Sequence, residues 1–113
     1  MELWVPDHTI GKVEEFFPRV LRAFELDGIS IAVVRMDDRF YAVSNYCSHM
    51  GVELIGSPVE GMDVICWWHG SSFNIATGDP NGGPAADPLR TYPIRVEDGN
   101  VVLVTPDLVQ RTS

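Results

Sequence analysis

Two short stretches of the chain, Tyr46-Cys47-Ser48-His49-Met50-Gly51 and Cys66-Trp67-Trp68-His69-Gly70, each set one cysteine close to one histidine. Together they hold both cysteines and two of the three histidines of the protein. The pattern reads C-x-H, sixteen residues, then C-x-x-H. Two cysteines permit at most one disulfide, and in a reducing compartment a cysteine beside a histidine is a metal ligand sooner than half of a cystine. The plain alternative is two buried thiols with incidental histidines, since free cysteine is among the most buried residue types. The gathering of these residues into two matching stretches argues against chance.

Two metal chemistries fit such a donor set. A mononuclear zinc site takes two cysteines and two histidines tetrahedrally, but its usual C-x2-4-C and H-x3-5-H spacing pairs like with like. Here each stretch mixes the two types. A [2Fe–2S] centre in which two cysteines hold one iron and two histidines hold the other asks for this mixture. Each stretch then supplies one ligand to each iron. Cys47, His49, Cys66 and His69 are the expected ligands of one such cluster per chain.

The rest of the chain must hold these stretches apart and aim them. Short β-rich runs, RVLRAFEL, ISIAVVRM, RFYAVSN, DVIC, TYPIRVE and NVVLV, lie between turn signals such as Asp27-Gly28, Asp37-Asp38, Glu60-Gly61 and Asp98-Gly99. That rhythm predicts antiparallel β structure in a sandwich or small barrel. Each Cys/His pair falls at the tip of a loop leaving a strand, with Gly51 and Gly70 just after the histidines where the backbone must turn tightly. Val13, Phe16, Phe17, Val20, Leu21 and Phe24 follow a helical spacing instead, interrupted by Pro18. A short helical turn near residues 9–17 and a strand after Pro18 are therefore expected. Residues 78–93, with four prolines and three glycines, are expected to form an irregular loop.

Composition agrees with one domain over residues 1–113, with a cluster-binding part at about 46–86. A chain of this size buries roughly two-thirds of the surface its unfolded form exposes. The net charge of −8 weighs against nucleic acid and anionic membrane as partners, both of which select basic patches. It suits docking to a partner with a positive face. No apolar run approaches the ~20 residues of a membrane span, and the N-terminus does not read as a signal peptide; a soluble, cytoplasmic protein is expected.

The sequence resembles a Rieske ferredoxin over essentially the whole chain. The resemblance is carried by the two boxes, the DRFYAV strand before the first, the F-N-x-x-T-G turn after the second, and the GGPA stretch beyond it. It implies an all-β fold, an antiparallel β-sandwich with a small cluster-binding subdomain at its tip, and a proline loop containing Pro84 packed over the cluster. Two positions depart from the pattern without touching a ligand. Trp67 stands where proline is common in the second box, and Ser48 where proline is common in the first.

Within the family, absences point to the low-potential ferredoxins that serve oxygenases. The high-potential type typically carries an extra cysteine in each box, joined as a disulfide; here both cysteines are needed as ligands. That type continues its second box as H-G-S-x-Y, with hydroxyls donating towards sulfur, and here Phe73 replaces the tyrosine while Ser71 remains. Hydrogen bonds of this kind tune cluster potential; Ser71 bonds sulfur or merely caps a turn. Trp68 is expected to pack the loops together. No Gly-rich dinucleotide fingerprint is present, and His8 is the only other histidine, expected at the surface and too few for a mononuclear iron site. The resemblance implies a carrier without catalytic residues, taking one electron at a time from a flavin reductase to a terminal, aromatic-ring-hydroxylating oxygenase. His49, His69, Met50, Trp67 and Pro84 would mark its docking face. A Rieske-type small subunit of a nitrite reductase, or a zinc-stabilised interaction module, are the other readings the sequence leaves open.

Overall fold

The computed structural model describes residues 7–26, 28–47, 51–67, 70–83 and 87–104. Eleven strands form three sheets among them, with every strand pairing antiparallel. β1 (Asp7–Lys12), β10 (Ile94–Glu97) and β11 (Asn100–Val104) make a three-stranded sheet in the order β1-β11-β10. β2 (Arg22–Leu26), β3 (Ile29–Met36), β4 (Arg39–Ser44) and β9 (Thr91–Tyr92) make the second, in that order. β5 (Val59–Glu60), β6 (Asp63–Ile65), β7 (Ser72–Asn74) and β8 (Pro80–Gly82) make the third.

The middle sheet explains why β3 reads as a continuous apolar run. A strand covered on both faces has no polar side to alternate with. Ile31 and Val33 of β3, with Phe40 and Ala42 of β4, pack with Phe16, Val101 and Leu103. The alternate residues Ala32, Val34, Met36 and Val43 pack with Leu54, Val64, Phe73, Ile75 and both cysteines. The middle sheet is thus shared between two cores, one with the β1-β11-β10 sheet and one with the β5-β6-β7-β8 sheet. Register explains the sorting, because Ala32 lies opposite Val43 and Val33 opposite Ala42, and side chains alternate faces along a strand.

Turn chemistry follows the sequence. Asp98 and Gly99, between β10 and β11, have φ of 53° and 77°, the paired positive values of a type I′ hairpin. The F-N-x-x-T-G turn is closed by the Asn74 side chain, whose Oδ1 accepts from the N–H of Ala76 at 2.9 Å and of Thr77 at 3.0 Å.

Four expectations are corrected. The helical turn expected over 9–17 is a 3-10 turn of Val13–Glu15 only, and residues before it extend as β1. The helical spacing fails because Arg19 after Pro18 takes φ of 64°, leaving Phe17 and Val20 exposed at 74% and 50% while Phe16 and Leu21 enter different cores. The strand after Pro18 begins only at Arg22. The Pro/Gly-rich stretch is not wholly irregular, since β8 and β9 lie within it. His8 is half-buried in β1 opposite Leu103 rather than exposed.

Candidate metal centre

Cys47 and Cys66 form no disulfide, are each 1% exposed, and both belong to the core between the middle sheet and the β5-β6-β7-β8 sheet. Two loops built alike bring them there. In the first, Tyr46 pairs with Glu53, the Cys47 N–H donates to Val52 O at 2.7 Å, and the Gly51 N–H donates to Cys47 O at 2.7 Å. In the second, Ile65 pairs with Ser72, the Cys66 N–H donates to Ser71 O at 2.7 Å, and the Gly70 N–H donates to Cys66 O at 3.2 Å. Gly51 and Gly70 both have φ of 74°, the left-handed region where glycine has no Cβ to clash. The two loops thus share one closure, cysteine to glycine, although the cysteine-to-histidine spacing differs between them.

Both thiols sit in an apolar core at matching positions of facing loops, with their own N–H groups turned back into the loops. A donor set of two soft thiolates in a water-poor site suits iron–sulfur or zinc chemistry. His49, His69, Ser48, Met50, Trp68 and Pro84 lie outside the described residues, and among those described no group of three or more His, Cys, Asp or Glu side chains comes together.

Three residues that sequence reasoning passed over fix the first loop and its exit. Asn45 is fully buried. Its Nδ2 donates to Ser30 Oγ at 3.0 Å and to Glu53 Oε1 at 3.3 Å, while its Oδ1 accepts from the Ile55 N–H at 3.1 Å. One amide therefore ties the strand before the loop to the segment after it. Ser57, 6% exposed, accepts from the Trp67 N–H at 3.1 Å. Glu53 O accepts from Trp67 Nε1 at 2.7 Å. Nothing in the sequence singles these residues out; the burial of Asn45 and Ser57 and the bonds of all three come from the fold.

Of the GGPA stretch, Gly82 and Gly83 lie against the second loop. Gly82 pairs with Ser72. Gly83 has φ of 83°, and a Cβ there would stand 2.6 Å from Ser71 Cα and 2.9 Å from Gly70 O. Ser71 itself is fully buried beneath this contact.

Beside the loops runs a groove of about 510 Å³ lined by Tyr46, Gly51, Val52, Glu53, Ile55 and Trp67. Three of its apolar side chains are well exposed: Trp67 at 51%, Tyr46 at 44% and Ile55 at 39%. A second cavity of about 660 Å³, lined mainly by β4, β9 and β10, includes no residue of either loop.

Comparison with known proteins accords with this geometry. The Rieske [2Fe-2S] domain family matches residues 6–93. The anthranilate 1,2-dioxygenase ferredoxin subunit of Burkholderia cepacia is 36% identical over 94 residues, covering 83% of this chain and 87% of that protein. The ferredoxin of carbazole 1,9a-dioxygenase from Nocardioides aromaticivorans IC177 superposes with a TM-score of 0.85 at 28% identity, covering 88% of this chain and 98% of the other. A ferredoxin in a complex of reduced oxygenase and oxidized ferredoxin in carbazole 1,9a-dioxygenase gives 0.83 at 28% identity, covering 88% of this chain and 93% of that one. With two alike loops, two buried thiols and a family match across both boxes, the chain belongs to the Rieske [2Fe-2S] domain family.

Proposed function

We propose that this protein is a soluble, cytoplasmic one-electron carrier, receiving electrons from a flavin-dependent ferredoxin reductase and delivering them to a terminal aromatic-ring-hydroxylating oxygenase. In this reading the chain is one domain with residues 46–86 as its cluster-binding part. Cys47 and Cys66 would hold one iron of a [2Fe–2S] cluster, and His49 and His69 the other. The observation that carries it is the pair of equivalent loops, each bringing one buried cysteine to the same core. The relatives support the partners: ferredoxin subunits of dioxygenases, one of them in a complex with its oxygenase.

When bound, the cluster supplies a one-electron couple with a potential in the Rieske range of about −150 to +300 mV. The chain's own residues shield, hold and present it. Val64, Phe73, Leu54 and Ile75 exclude water from the thiol side. Gly83 lies against the second loop and covers Ser71. Missing sulfur-directed tyrosine at Phe73 favours the lower part of that range.

Electron exit would run through the proposed histidine ligands; beside the loops, the groove of Tyr46, Ile55 and Trp67 would meet the partner. Such a face, apolar at its centre with the Glu53 carboxylate at its edge, suits a partner surface carrying basic residues around an apolar contact. Among the described residues no helix is long and apolar enough to cross a membrane.

The test is EPR of the dithionite-reduced protein. A rhombic signal with an average g below that of all-cysteine [2Fe–2S] ferredoxins supports the reading. A silent spectrum with zinc in the metal analysis ends it.

A further inference from the structure

Trp67 is bonded twice across the gap between the two loops. Its backbone N–H donates to Ser57 Oγ at 3.1 Å, and its indole Nε1–H donates to Glu53 O at 2.7 Å. Both acceptors lie on the segment that leaves the first loop. Trp67 follows Cys66 directly and begins the second loop. The acceptors are themselves held. Glu53 bridges to Tyr46, the Leu54 N–H donates to Asn45 O at 2.6 Å, and the Ser57 N–H donates to Leu54 O at 2.9 Å. Trp67 therefore grips a rigid part of the first loop, not a floppy one.

No disulfide between Cys47 and Cys66 does this job. Trp67 is also 51% exposed, so burial of its ring does not account for its position. A large half-exposed aromatic that spends its N–H on a main-chain carbonyl is oriented by that bond.

We infer that Trp67 is a positioning residue that clasps the second cluster loop to the exit of the first and so sets the separation of Cys47 and Cys66. The inference rests on reading these loops as the cluster site. The clasp acts through Cys66: when it opens, the second loop is released at its first residue while its far end stays pinned by the β7–β8 pairing and Gly83. The loops then no longer hold the two cysteines at the spacing the cluster needs, and a ligand that dissociates is recaptured less readily.

The test compares the holoprotein with Trp67→Phe, which keeps the backbone bond and the ring but loses the indole donor. Ser57→Ala removes the other acceptor. Three readouts are taken: the rate of cluster bleaching under excess EDTA, the EPR spectrum of the reduced protein, and hydrogen exchange by mass spectrometry in segments 47–57, 65–71 and 29–36. Loss of one hydrogen bond predicts roughly fivefold faster bleaching for either variant. Shifted or broadened g values and faster exchange in 47–57 and 65–71 should accompany it, with β3 exchange unchanged. Bleaching at the parent rate with an unaltered spectrum in Trp67→Phe overturns the clasp. So does faster bleaching with an unaltered spectrum and β3 exchange raised in proportion, which marks general destabilisation. Trp67→Pro, lacking both donors, should bleach faster than either variant, and the Phe and Ala variants decide the matter if it does not fold. A parent protein without the rhombic signal brings down the cluster reading itself, and the clasp with it.

Discussion

Gly83 offers a sharp test of how the GGPA stretch covers the site. Its φ of 83° lies in the left-handed region, and a Cβ would meet Ser71 Cα at 2.6 Å, Gly70 O at 2.9 Å and Ser71 N at 3.0 Å. All three atoms are backbone, so no side-chain rotation relieves the overlap. Ordinary carbon contacts sit near 3.5–4.0 Å, so the strand end must retreat by about 1 Å. Left-handed backbone costs a residue with a Cβ roughly 1–2 kcal/mol, and overpacking roughly 1–3 kcal/mol more. Gly70→Ala is the matched control, with φ of 74° and open space around the added methyl; it carries the backbone term alone. Gly82→Ala is the second control, meeting only the Ser72 Oγ at 3.1 Å. The difference between Gly83→Ala and Gly70→Ala should therefore be about 1–3 kcal/mol, or about 5- to 150-fold in the rate of cluster loss if all of it appears there. The assay is bleaching of the holoprotein in denaturant, with the EPR spectrum recorded beforehand. Gly83→Ala bleaching no faster than Gly70→Ala would refute the close approach of this segment to the second loop.

Asn45→Ala should lower stability by roughly 2–4 kcal/mol, since it removes the acceptor of the part-buried Ile55 N–H and opens a cavity where the fully buried Asn45 side chain stood; urea unfolding of the protein measures it. Ser71→Ala should lower the reduction potential by on the order of 50–130 mV if the buried hydroxyl bonds sulfur, from the worth of a charged hydrogen bond at 59 mV per tenfold; redox titration followed by EPR reads it, and an unmoved potential assigns the serine to a turn. Phe16→Ala should cost about 3–5 kcal/mol, because Phe16 is 1% exposed and packs edge-on to Phe40 at 5.3 Å. Its EPR spectrum should stay that of the parent, as Phe16 belongs to the core without the cysteines. Raising ionic strength should slow electron transfer to the oxygenase, since a carrier at −8 is steered by screened charge; stopped-flow reduction in a salt series checks the sign.

What was legible in the sequence, and what was not, divides along a physical line. The β-rich runs and DG-type turns were readable because turn chemistry and strand propensity are local. β3, β4, β6, β10 and β11 lie where those signals placed them. The short strands β5, β7 and β8 were not, because two or three residues carry no period; they exist only through pairing with neighbours. The false helical spacing around Phe16 arose because one segment feeds two cores, Phe16 to one and Leu21 to the other. A single-face pattern cannot describe a crossing of that kind. At the site, the cysteines and glycines were visible as residue types, and the equal spacing Cys47 to Gly51 and Cys66 to Gly70 was a usable sign that the loops close alike. Asn45, Ser57 and Glu53 carried no such sign. Each is a polar residue in loop-like sequence, unremarkable until its partner from a distant segment is known. Their bonds run between the two loops or across the neck of one, as in Ile55 to Asn45 and Trp67 to Glu53. The sequence therefore offers the candidate ligands as residue types, whereas the bonds that tie their loops together belong to the fold. Variants at Trp67 and Ser57 should for that reason alter the spectrum while leaving every proposed ligand in place.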